Sequence, residues 1–137
     1  QSGNERLSVP MSARILIVED EALVAMEIAA VLRERGYEPV GVAADARSAQ
    51  ALAARGVDLA LVDCQLRDGV TGPQIGRHLM DEHGAAVIFV TANPRLVEHV
   101  RDAHGVIAKP SDDDTLCAAI EAALLTRNGP GGANAPL

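Results

Sequence analysis

The chain is predicted to fold as a doubly wound α/β domain in which five parallel strands are each followed by a helix. Three observations carry this prediction: short apolar runs alternate with longer amphipathic stretches, the runs are continuously apolar, and nearly all the apolar content is aliphatic. Continuous runs mark strands buried on both faces, as in a parallel sheet covered by helices. Hydrophobic residues make up 48% of the chain, yet Tyr37 and Phe89 are its only Tyr or Phe and Trp is absent, so the core must be built from Val, Ile, Leu and Ala. That mix suits helices on a β-branched sheet. The 137 residues are the size of one domain, able to bury roughly two-thirds of the unfolded surface.

The first apolar run, 15–18, leads into a stretch over 21–35 where Val24, Ile28, Val31 and Leu32 share one helical face and Gly36 supplies a stop. The second run, 39–43, is followed by a helix that Asp45 can cap and that extends through 55. After the third run, 59–62, Gly72-Pro73 opens a helix to about 82, with proline in its first turn. The fourth run, 86–90, precedes a short helix over 95–103. The fifth, 106–108, precedes a last helix from about Asp112, whose neighbours Asp113 and Asp114 suit the positive end of the dipole and whose apolar face repeats Leu116, Ile120, Ala123 and Leu124. Residues 1–12 are polar and aperiodic and are expected to be a disordered extension or tag remnant; the domain is placed at 13–126, and the Gly/Pro/Asn-rich 127–137 is expected to be a flexible tail.

The net charge of −7, with Lys and Arg scattered, argues against nucleic-acid binding, which needs clustered cations. Cys64 and Cys117 sit in apolar segments without C-x-x-C spacing and read as reduced, buried thiols of a cytoplasmic protein. The apolar runs fall well short of the ~18 residues a membrane span requires, so no membrane association is expected. A dinucleotide site is excluded because no Gly-rich turn follows the first run.

In an open parallel sheet, ligands bind in the crevice beyond the carboxyl ends of the strands. Those ends carry Glu19, Asp20 and Glu21 after the first strand, Asp63 after the third, Thr91 after the fourth and Lys109-Pro110 after the fifth. Taken singly, each has an ordinary reading: acids open helices, an Asp ends a strand in an Asx turn, a Thr caps, and Lys-Pro turns. Together they place several carboxylates at one point, which repel one another unless a cation intervenes, and a hard all-oxygen set selects Mg²⁺. Asp20 and Asp63 would supply carboxylate oxygens, Gln65 its backbone carbonyl, and Glu19 an oxygen directly or through water. An Asp carboxylate that attacks phosphorus forms an acyl phosphate, here with Lys109 pairing with the transferred oxygens and Thr91 donating a hydrogen bond. His78, His83, His99 and His104 lack metal-ligand spacing and read as surface residues.

Ile-Leu-Ile-Val-Glu-Asp-Glu at 15–21, Leu-Val-Asp at 61–63, Phe-Val-Thr-Ala at 89–92 and Ala-Lys-Pro at 108–110 resemble, in this order, the receiver domains of bacterial two-component response regulators over about residues 13–126. The resemblance implies a CheY-like, flavodoxin-like (βα)5 fold with sheet order 2-1-3-4-5. It implies Asp63 as phosphoacceptor, Glu19 and Asp20 as the acidic metal pair, Thr91 as the switch hydroxyl, Lys109 as the conserved lysine and a cis peptide before Pro110. The implied partners are a sensor histidine kinase or phosphotransfer protein upstream and a protein of unspecified identity downstream. Three departures stand out. Val106 replaces the usual aromatic three residues before the lysine. The Thr91–Lys109 spacing of 18 is short, so the fourth helix should be shortened or irregular. The loop 63–72 lacks the common Met-Pro and resembles receivers of alphaproteobacterial general-stress and sensory regulators.

Two alternatives remain open at this level. A pseudo-receiver would bind a partner without phosphorylation, in keeping with the altered loop and the missing aromatic. A Mg²⁺-dependent phosphohydrolase would also use an Asp nucleophile, but needs a second acid where Gln65 stands and an insertion to enclose substrate. The expected protein is therefore no enzyme beyond its own phosphotransfer and dephosphorylation.

Overall fold

A computed structural model of the chain describes residues 12–128. Five strands, β1 (Arg14–Val18), β2 (Glu38–Ala43), β3 (Leu59–Asp63), β4 (Ala86–Thr91) and β5 (Gly105–Ala108), form one parallel sheet in the order β2-β1-β3-β4-β5. Four helices, α1 (Ala22–Glu34), α2 (Ala46–Ala53), α3 (Gly72–His83) and α4 (Asp113–Asn128), cover it. The doubly wound fold and its strand order stand as predicted.

Period-two alternation splits the core in two. Leu16, Val18, Ala60, Val62, Val87 and Phe89 point to the face covered by α2 and α3. Ile15, Ile17, Leu59, Leu61, Ile88 and Val90 point to the other, against Ala25, Ala29 and Leu32 of α1 and Leu116, Ile120 and Leu124 of α4. Both cysteines are free and buried. Phe89, the largest buried side chain, lies over Gly76 of α3: a Cβ there would approach the ring to 2.5 Å, so the glycine lets helix and sheet close.

The helix ends follow local chemistry. Asp45 caps α2, accepting the Ser48 N–H at 2.9 Å while the Ser48 hydroxyl accepts from the Asp45 N–H, a reciprocal box. Pro73 occupies the first turn of α3, and Gly84 ends it in the left-handed conformation.

The expected helix over 95–103 needs correction. Only the 3-10 turn Pro94–Val97 forms, followed by an irregular path into β5. Leu96, Val97 and Val100 mimic a helical face, but only thirteen residues separate β4 from β5 and the buried Val97 and Val100 must reach the Phe89 side of the sheet within them. The last helix begins at Asp113 and continues through Asn128, past the expected boundary at 126. The extension and tail otherwise lie outside the described residues. Among those residues no helix is long and apolar enough to cross a membrane.

One histidine is structural. His104, expected at the surface, is half-buried; its Nδ1 accepts the Val87 N–H at 3.2 Å, and its backbone N–H donates to the Val87 carbonyl at 2.8 Å. Burial first, then the Arg127 charge, hold its pKa below the usual histidine value, against the opposing pull of Asp102. Protonation therefore favours the unfolded chain, and the stability this neutral imidazole contributes is present above about pH 6.5 and lost as pH falls toward the lower folded value. His104→Asn keeps an acceptor near Nδ1 without titrating, so urea denaturation between pH 7 and 5 should show a smaller acid loss in the variant than in the parent.

Candidate functional site at the carboxyl edge of the sheet

The carboxyl ends of β1, β3, β4 and β5 bring the predicted residues to one edge. Glu19 follows β1 and is fixed twice, its N–H donating to the Ala43 carbonyl at 2.8 Å and its Oε2 accepting the Glu21 N–H at 3.0 Å. Asp63 ends β3; its Oδ1 accepts the Gln65 N–H at 3.1 Å. Carboxylate oxygens of Glu19, Asp20 and Asp63 lie within 4.8 Å of one another, with Glu19 and Asp63 buried and Asp20 half-buried. Lys109, after β5, reaches Asp63 Oδ2 at 2.8 Å and Glu19 Oε1 at 3.4 Å. The Lys109-Pro110 peptide is cis.

Three carboxylates face one ammonium, a formal excess of two negative charges in a half-desolvated crevice. Burial pushes the Glu19 carboxyl above its ordinary range, outweighing the Glu21 N–H and the Lys109 charge that lower it. Burial alone would depress Lys109, but the hydrogen bond and charge of Asp63, with help from Glu19, hold it above the ordinary lysine value. A divalent cation would match the uncompensated charge, and the all-oxygen donor set suits a hard one. Gln65 contributes an N–H to the site's hydrogen bonding; its carbonyl as a ligand rests on sequence.

Thr91, at the end of β4, is only 1% exposed. Its backbone carbonyl accepts the Lys109 N–H at 2.8 Å, which joins it to the site. Its hydroxyl is not directed to Asp63: it accepts the Asn93 N–H at 3.0 Å and lies 3.3 Å from the Asn93 carbonyl. Cys64, behind Asp63, is buried, and burial pushes its thiol above the ordinary value, so it is packing. Val106, where the resemblance led one to expect an aromatic, is 45% exposed on β5.

One residue of the site was legible in the sequence only as a helix start. Gly72 donates its N–H to the Cys64 carbonyl at 3.0 Å, and a Cβ on it would stand 2.0 Å from the Asp63 carbonyl oxygen. The first turn of α3 is thus seated on the backbone that carries Asp63. The signal available was Gly immediately before Pro, but which backbone it approaches is a tertiary fact.

Residues 15–121 match the family described as response regulator receiver domain. The transcriptional regulatory protein PdtaR of Mycobacterium tuberculosis is 38% identical over 118 residues, 81% of this chain and 56% of that protein. The phyllosphere-induced regulator PhyR of Methylorubrum extorquens is 34% identical over 128 residues, 90% of this chain and 48% of that one. The chain therefore spans about half the length of these curated relatives. The solution structure of the Erythrobacter litoralis PhyR response regulator REC domain superposes with a TM-score of 0.78 at 33% identity, covering 88% of this chain and 95% of that one. Fold and sequence agree over the same span, and the chain belongs to the receiver domains of two-component response regulators.

Proposed function

We propose that this receiver accepts a phosphoryl group on Asp63 in a Mg²⁺-dependent reaction and that the phosphorylated form changes its binding to a protein partner. The observation that carries the reading is the Asp63 carboxylate held between the Gln65 N–H and the Lys109 ammonium beside Glu19 and Asp20. Glu19, Asp20 and Asp63, with the Gln65 carbonyl, would hold the ion, which when bound neutralises charge on the phosphoryl oxygens.

The remaining chemistry belongs to the chain. An Asp63 carboxylate oxygen attacks phosphorus in line; an O–P bond forms as the donor's bond to phosphorus breaks, and the leaving group departs with that electron pair. Lys109 stays close enough to pair with the transferred oxygens. The Thr91 hydroxyl must turn its proton from the Asn93 carbonyl to a phosphoryl oxygen, and it can keep accepting the Asn93 N–H as it does so.

The donor is a sensor histidine kinase or phosphotransfer protein, the setting is the cytoplasm, and the chain performs no chemistry beyond its own phosphotransfer and dephosphorylation. The loop 63–72 and the likeness to PhyR support an output through protein–protein switching; a PhyR structure from Bartonella quintana, at TM-score 0.80 and 28% identity, is of an anti-anti-sigma factor. A scattered charge of −7 speaks against a nucleic-acid target. The exposed Val106 favours one second reading, a partner-binding module that does not depend on phosphorylation.

Intact mass after exposure to acetyl phosphate separates the two. A single phosphoryl adduct is expected, dependent on Mg²⁺ and missing from Asp63→Asn. A folded parent that binds Mg²⁺ and acquires no adduct would establish the phosphorylation-independent module.

A further inference from the structure

The segment 92–104 between β4 and β5 is held at two ends by different chemistry. Upstream, the Thr91 hydroxyl accepts the Asn93 N–H, and the Asn93 side chain in turn accepts the Arg95 N–H at 3.3 Å, capping the 3-10 turn. Downstream, Arg77 of α3 forks onto Asp102, Nη1 to Oδ2 at 2.9 Å and Nη2 to Oδ1 at 2.5 Å, and also reaches Asp81 at 3.2 Å. Between these ends Val97 and Val100 are the buried anchors, while Asn93, Arg95, Glu98, His99 and Arg101 are exposed. Leu96 and Ala103 pack partly buried beside these valines, and with no α-helix and an exposed polar face the segment depends on these few side chains and its end contacts for its order.

The downstream end is linked to the Asp63 backbone through α3. Its first turn sits on the Asp63 carbonyl through Gly72, and Arg77 lies five residues along the same helix. The carboxylate proposed to take phosphate and the tether on Asp102 are thus joined by one rigid element.

We infer that the Arg77–Asp102 fork is the downstream anchor of a regulatory segment, residues 92–104, and opposes its release when Asp63 is phosphorylated. The inference rests on the phosphorylation proposed above: when the Thr91 hydroxyl turns its proton to a phosphoryl oxygen it gives up the bond it donates to the Asn93 carbonyl, and downstream of Val100 the fork joins the His104–Val87 pair in restraining the segment. Exposed ion pairs are usually weak, but a bidentate Arg–carboxylate pair backed by a second carboxylate is the geometry in which they count. An anchor that favours the unphosphorylated arrangement lowers the population of the arrangement in which the Thr91 hydroxyl is free to turn, and transfer through that minor population is slowed in proportion.

The test is a double-mutant cycle on the full chain with Asp102→Asn, Arg77→Gln and both together, and Asp81→Asn as control. Amide hydrogen exchange in the unphosphorylated protein should quicken about threefold to fivefold at Val100 and His104 in each single variant and in the double alike, with amides of β1 and β3 unchanged. Adduct formation from acetyl phosphate should accelerate by a similar factor, and Asp81→Asn should leave both readouts near the parent. Unchanged exchange, or effects of the two substitutions that simply add, would overturn the tether. Faster exchange with an unaltered phosphorylation rate would overturn its regulatory role and leave a surface ion pair. Failure of the parent itself to form an adduct would instead overturn the assignment of Asp63, while the exchange data would still decide whether the fork restrains the segment.

Discussion

Gly72→Ala is expected to destabilise the protein by about 3 kcal/mol and to slow adduct formation on Asp63 by roughly a hundredfold. On helix propensity alone the substitution should help, since Ala exceeds Gly by up to ~1 kcal/mol inside a helix. The clash decides the sign. The added carbon would stand 2.0 Å from the Asp63 carbonyl oxygen and 2.6 Å from the Cys64 Cα, both backbone atoms that no rotamer change can move aside. Relief requires α3 to lift from the end of β3 or β3 to bend, and either shifts the carboxylate by a sizeable part of an ångström. Gly84→Ala is the control: that glycine has φ +64° with no atom within 4 Å of where a Cβ would stand, so its cost is confined to backbone strain of about 1 kcal/mol and should spare phosphorylation. Urea denaturation and adduct kinetics, measured below the variant's unfolding transition, give the two numbers. A Gly72→Ala protein of parental stability and rate would mean that α3 is not seated on the Asp63 backbone.

What the sequence makes legible is whatever is local or periodic. The runs at 15–18, 59–62 and 86–90 are buried on both faces and became strands extended by at most one residue at either end. Asp45 was readable as a cap, but its partner Ser48 was not, because the usual third residue of a capping box is Glu or Gln. The acids, Asp63 and Lys109 were locatable because strand ends in a parallel sheet converge, a topological rule that needs no coordinates. Three features stayed hidden for one reason: each joins residues of different elements that meet only once the chain is folded. Gly72 meets the Asp63 carbonyl, Arg77 meets Asp102, and His104 accepts from Val87. The expected fourth helix failed differently. Its apolar spacing was right, but spacing records which residues must be buried and not the length of chain available to bury them.

Lys109→Met should move metal binding and phosphoryl transfer in opposite directions. The ammonium lies 2.8 Å from Asp63 and 3.4 Å from Glu19, among carboxylates that sit within 4.8 Å of one another. Without it, three acids share the crevice with no cation, and breaking a buried pair on one side costs about 3–5 kcal/mol. Lys109 is 30% exposed, so solvent screening reduces the expected loss in Mg²⁺-free buffer to about 1–3 kcal/mol. The same removal takes away the charge that repels an incoming divalent ion, and Mg²⁺ affinity should rise about tenfold or more, recovering part of the stability. Phosphoryl transfer should nonetheless fall by roughly 10²–10³, the usual effect of deleting one preorganised donor aimed at developing charge. Mg²⁺ titration by calorimetry, thermal denaturation with and without Mg²⁺, and adduct kinetics at saturating Mg²⁺ together test this. If affinity and transfer both fell, Lys109 would be supporting the shape of the site; if affinity rose and transfer held, its ammonium would have no part in stabilising the transferred group. Only tighter binding with slower transfer fits a lysine that stands in for the metal before it arrives and pairs with the phosphoryl oxygens afterwards.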